Sequence, residues 1–78
     1  LNELIIYPNP TKDKLILKTP SHLIGSSVNM YSTLGQSLSN FTLDEANTTI
    51  DLSSFKKGIY LLKFQTNNGS FVKEIIKN

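Results

Sequence analysis

Apolar residues in this chain fall in short blocks rich in Ile, Val, Leu, Tyr and Phe, interrupted by turn residues every 8–12 positions. That spacing is the signature of short strands joined by tight connections. Residues 3–7 (ELIIY) predict a first strand, stopped by Pro8-Asn9-Pro10 because proline lacks an N–H and holds its predecessor extended. Residues 14–18 (KLILK) alternate strictly, with Leu15 and Leu17 on one side and Lys14 and Lys18 on the other, the period of a half-buried strand. A loop over Thr19 to Gly25 leads to a third strand at 26–32, with Val28 and Met30 inward. Gly35 provides the positive φ for a reversal into a fourth strand at 36–42.

Leu43 to Asn47 reads as a polar connection, and 48–52 (TTIDL) as a strand with Ile50 and Leu52 on one face. Ser53 is placed to cap a single helical or 3₁₀ turn that Gly58 closes in the left-handed conformation, with Phe55 tucked under the sheet. Residues 59–66 form the strongest strand, presenting Tyr60, Leu62 and Phe64 together. The Asn68-Gly69 pair within Asn67-Asn68-Gly69 suits a two-residue hairpin in which both residues take positive φ, returning through 70–76. On that last strand Phe71 and Ile75 share one face and Val72 and Ile76 the other, so periodicity leaves the buried face open. An apolar second face there would mark a surface that meets something. The expected fold is all-β, a seven-stranded antiparallel Ig-like sandwich formed by a single domain over 1–78.

Composition narrows the function. The chain has 78 residues, 38% hydrophobic and 18% charged, which fits one small folded domain. Cys, Trp and Arg are absent and there is one His, so thiolate chemistry and most metal sites are ruled out. The net charge of +2 comes from eight scattered lysines against six carboxylates, without the basic face or the arginines of a nucleic-acid reader. No apolar run reaches the roughly 18 residues of a membrane span. The chain begins at Leu1, directly before strand-like sequence, so it is expected to be a fragment of a longer polypeptide.

Each candidate for chemistry has a plainer role. His22 lacks an evident nucleophile and orienting acid. Asp44 and Glu45 are neighbours on an extended stretch and point apart, as solvated loop residues do. Asp13, among lysines, suits turn capping better than calcium binding. The Asn40, Asn47 and Asn68 sequons arise readily in a chain rich in Asn, Ser and Thr. Tyr7, Tyr31 and Tyr60 could form a stacking platform, but aromatics at strand spacing serve the core more often. These residues describe a non-catalytic β-sandwich, without cofactor or metal, whose task is recognition, adhesion or spacing.

Three ordered segments say more. They are Tyr7-Pro8-Asn9-Pro10-Thr11 with Lys14 to Leu17, then Val28 to Leu38 around Gly35, then Ile50 to Phe64 with Gly58 and Tyr60, followed by Gly69 and Phe71 to Lys77. Together they resemble the type A C-terminal sorting domain of type IX (Por) secretion cargo in Bacteroidetes. The resemblance implies a non-catalytic signal that directs an upstream cargo domain across the outer membrane through the translocon. A sortase commonly removes this signal, and the cargo ends at the cell surface or outside the cell after passing the periplasm.

On this resemblance Pro8, Asn9 and Pro10 match the first motif, Gly35 the middle one, and Gly58, Tyr60 and Lys73 the last. The final strand, with Ile75, Ile76 and Lys77, is the expected docking element, since a terminal edge strand can pair with a receptor strand. Two departures stand out: Ser32 where the family often has Asp or Asn, and Gln36 where it often has Arg. An exposed edge also permits dimers by sheet extension. The alternative reading is an Ig- or fibronectin-like adhesion or carbohydrate-binding module.

Overall fold

The computed structural model describes residues 3–78. Seven strands form two sheets: β1 (Ile5–Tyr7), β2 (Lys14–Lys18) and β5 (Asn47–Asp51) in the order β1-β2-β5, facing β3 (Ser27–Ser32), β4 (Ser37–Thr42), β6 (Gly58–Thr66) and β7 (Gly69–Lys77) in the order β4-β3-β6-β7. Neighbouring strands within each sheet are antiparallel. The expected all-β sandwich is the observed one, with strand ends within about two residues of those read from the alternation. The fourth strand stays beside the third, whereas constant-type immunoglobulin domains place it next to the fifth.

The two inner faces supply the core by strand alternation. Leu15 and Leu17 on β2, with Leu52 just past β5, meet Val28, Met30, Leu62, Phe64 and Ile75 from the larger sheet, each at most 1% exposed. The open question of the last strand is decided for the face of Phe71 and Ile75. Phe71 lies opposite Phe64 and stacks on it, with ring centroids 4.9 Å apart and planes 11° apart. Ile75 is fully buried, and Val72 stands 54% exposed on the outer face.

Four local expectations are corrected. Leu43, read as part of a polar connection, is fully buried: pairing continues past β4 through Leu43 N–H to Ser26 O (2.9 Å) and Gly25 N–H to Leu43 O (2.7 Å). The segment 53–58 forms no helical turn. Instead Asp51 Oδ1 accepts Ser53 N–H (2.9 Å) and Phe55 N–H closes on Leu52 O (3.0 Å), so Asp51, not Ser53, caps it. Gly58 has φ of +152°, far from the left-handed helical well, because it already stands in β6 opposite Lys77.

The β6–β7 reversal runs through Asn67 and Asn68, neither with positive φ. The Thr66 hydroxyl holds it by accepting Asn68 N–H (3.1 Å) and donating to Gly69 O (2.8 Å). The one 3₁₀ turn among the described residues is Ser21–Leu23, within the predicted loop.

Phe64 is the largest fully buried side chain and joins both sheets to β7. Phe64→Ala should cost about 3–5 kcal/mol, comparable to the roughly 4–12 kcal/mol expected for a domain of this size. Urea unfolding followed by circular dichroism should show the midpoint collapse, whereas Leu34→Ala, at a 94% exposed tip, should shift it little.

Candidate functional site

The motif residues lie far apart in sequence and converge in space. After Tyr7 leaves β1, Pro8, Asn9 and Pro10 carry the chain across the gap between the sheets to the outer edge of β7. There the Asn9 amide does two things at once. Its Oδ1 accepts Ile76 N–H at 2.9 Å and its Nδ2 donates to Glu74 O at 3.1 Å, the two contacts that a neighbouring strand would make. Thr11 continues the pattern with its backbone: Thr11 N–H donates to Ile76 O (2.9 Å) and Asn78 N–H donates to Thr11 O (2.8 Å), giving a parallel bridge between Thr11 and Lys77.

Thr11 is the residue that sequence reasoning passed over. It is 2% exposed, and its hydroxyl donates to Lys14 O while accepting Asp13 N–H at 3.3 Å. The loop between β1 and β2 is therefore closed on itself while it grips β7. A threonine directly after Pro-Asn-Pro, three residues ahead of a strand, was the available signal, since its hydroxyl can bond nearby backbone.

The last strand is anchored from its other side as well. Gly58 pairs with Lys77 and Tyr60 with Ile75 across the β6–β7 ladder. Half-buried Tyr60 donates its hydroxyl to Lys56 O (2.6 Å), and its ring meets Phe55 edge-on, at 5.7 Å between centroids and 89° between planes. Lys77 Nζ donates to Phe55 O (2.9 Å). Phe55 packs on the core as expected.

Gly35 reaches the same end of the sandwich through Ser32, which lies opposite Tyr60. Its N–H donates to Ser32 O (3.0 Å) and its φ of +87° is one that side chains resist. The Ser32 hydroxyl accepts Leu34 N–H and Gln36 N–H, both at 3.2 Å, the same service an Asp or Asn would give there. Lys73 is exposed on β7 opposite Leu62 and lines a hollow together with Asn9 and Glu74.

Electrostatics add one resolved feature. Hydrogen bonds from the Ser53 side chain and then its backbone N–H, with Lys14 opposite on β2, hold the Asp51 carboxyl below the ordinary aspartate range. A depressed carboxyl favours the folded state above its unfolded-state pKa, and that contribution is lost as pH falls through the folded value. Among the described residues no group of three His, Cys, Asp or Glu side chains lies together to hold a metal ion. The three tyrosines do not form a platform: Tyr7 is on β1 and Tyr31 and Tyr60 are on the opposite sheet, and the ring pairs present are Phe55–Tyr60 and Phe64–Phe71. No helix among the described residues is long and apolar enough to cross a membrane.

Removing the Asn9 amide frees two backbone groups at an exposed edge, where water compensates in part. Asn9→Ala should lower unfolding free energy by about 1–2 kcal/mol, read from urea melts, and Lys73→Ala should leave it within about 0.5 kcal/mol.

Residues 5–78 match the family model described as the secretion system C-terminal sorting domain. A stretch of 72 residues is 33% identical to beta-agarase A of Zobellia galactanivorans, covering 92% of this chain and 13% of the agarase. A stretch of 63 residues is 35% identical to the funoran endo-beta-hydrolase of Wenyingzhuangia aestuarii, covering 80% of this chain and 9% of that enzyme. The chain thus corresponds to a small part of these relatives' length.

Proposed function

The chain belongs to the secretion system C-terminal sorting domains, and from that membership we propose that residues 1–78 are the non-catalytic export address of a larger secreted protein. The observation that carries this reading is that the family match and the structural clamp coincide. The matched span runs from β1 to Asn78, and its first motif is hydrogen-bonded to its last five residues. A signal built this way is presented as a folded surface.

In this reading the outer-membrane translocon of a type IX system takes up the folded domain while cargo follows by covalent linkage, and a sortase then removes it. The Asn9–Thr11 clamp keeps the terminal residues from fraying on the way. The cargo's own activity resides elsewhere. That both relatives bear the names of polysaccharide hydrolases supports an enzyme as cargo. Asn9, Gly35, Gly58 and Tyr60 act as positioning residues that hold the last strand in place, and Lys73, Ile76 and Lys77 present side chains on or beside that strand.

The test is a reporter with its own N-terminal signal peptide, fused ahead of residues 1–78 in a bacterium that carries this secretion system. Export of the reporter to the medium or cell surface is expected. Retention in the periplasm, while an established sorting domain exports the same reporter, contradicts the proposal.

A further inference from the structure

Antiparallel pairing directs the backbone of alternate β7 residues toward β6 and of the others outward. Glu74 O, Ile76 N–H, Ile76 O and Asn78 N–H show that the even-numbered residues are the outward set, and Asn9 and Thr11 satisfy them. The clamp ends at Glu74. Above it, among the described residues, no backbone or side-chain partner meets the N–H and C=O of Ser70 and Val72 or the N–H of Glu74. Pro8 turns the chain away here into β1, so the two sheets part along a seam. The seam is a cleft of about 500 Å³ between Glu3, Leu4 and Leu23 on one side and Ser70, Phe71 and Val72 on the other. It continues into a hollow of about 210 Å³ floored by Leu4, Ile6 and Asn9.

We propose that this open half of the β7 edge, Ser70–Glu74, is where an extended, acidic strand of a partner protein docks, adding a fifth strand to the β4-β3-β6-β7 sheet. The proposal rests on the export reading and names the chemistry of its recognition step. Three observations select this occupant. Five backbone groups at ladder spacing over about 13 Å of strand are matched by another backbone in extended form, not by a small molecule or lipid. The flanks are apolar, with Val72 54% exposed on the outer face and Phe71 and Leu4 in the seam, whereas the β4 edge presents Ser37, Ser39, Asn40 and Thr42.

Charge selects its sign. The four-stranded sheet with the 53–57 turn carries Lys56, Lys57, Lys63, Lys73 and Lys77 against Glu74 alone, a formal net +4, and the remainder of the chain is −2. Lys63, opposite Val72, and Lys73, beside it, are exposed on the two faces of the docking edge, with Glu74 at its end and Glu3 across the seam. A second copy of this chain would bring two +4 layers edge to edge, which disfavours it as the occupant.

The experiment replaces outward N–H groups that the fold does not use. Val72→Pro, and Ser70→Pro as an independent variant at the same edge, remove a docking donor and leave the β6–β7 ladder donors in place. With folding checked by circular dichroism, the variant that retains wild-type melting should cut reporter export by about tenfold or more. Val72→Ala, which keeps the N–H and trims only the apolar flank, should export at least severalfold more than Val72→Pro, and Lys73→Glu should lower export severalfold below wild type. Undiminished export from the folded proline variants, or from Lys73→Glu, overturns the proposal while leaving the export reading intact. A wild-type domain that exports nothing overturns both. A wild-type chain that sizes as a dimer in solution, and that Val72→Pro converts to monomer, assigns the edge to a second copy and also overturns it.

Discussion

The outer edge of the C-terminal strand is closed by one side chain that imitates a strand. The Asn9 carboxamide presents an acceptor and a donor to the outer edge of β7, at 2.9 Å from Ile76 N and 3.1 Å from Glu74 O. Thr11 extends the imitation with its own backbone, and the buried Thr11 hydroxyl stiffens the loop that delivers both. A C-terminal strand with an unoccupied edge would fray, because its last backbone groups gain little over water. Here they are held from both sides, by β6 through its ladder and by the loop between β1 and β2. Prolines on either side of Asn9 restrict the chain before the grip is made, which lowers the entropy lost in forming it.

This arrangement makes the terminal residues a readout of folding. Ile75 is fully buried against both sheets, Ile76 is bonded through its backbone to the first motif, and Lys77 reaches back to Phe55 O. The tail is ordered only if β1, the Pro-Asn-Pro loop, β6 and the 53–57 turn are all in place. The charge layout is uneven: the sheet bearing β7, with the 53–57 turn, carries a formal net +4, and the remainder of the chain carries −2.

Much of this was legible in the sequence, for identifiable reasons. The strands were found because Leu15, Leu17, Val28, Met30, Leu62 and Phe64 alternate cleanly with polar neighbours, and alternation is dictated by the pleat. The buried face of β7 was not legible, since Phe71 and Ile75 compete with Val72 and Ile76 on equal terms and only the stacking partner Phe64 decides it. Turn geometry was misread where a hydroxyl or carboxylate does the work expected of backbone conformation, as at Thr66 and Asp51. Leu43 was missed because the alternation Phe41-Thr42-Leu43 was cut at Thr42, where the polar run Asp44 to Asn47 follows closely.

The motif residues were named by resemblance, but their joint role was invisible. Asn9 and its partners are 65 and 67 positions apart, and no local pattern encodes such a contact. The most direct test of the clamp is native-state amide hydrogen exchange on the wild-type domain, read at Ile76 and Asn78. The account predicts that both amides exchange only with global unfolding, at rates matching the β6–β7 ladder. Exchange of these two amides at the rate of unstructured peptide, while the ladder stays protected, would contradict it.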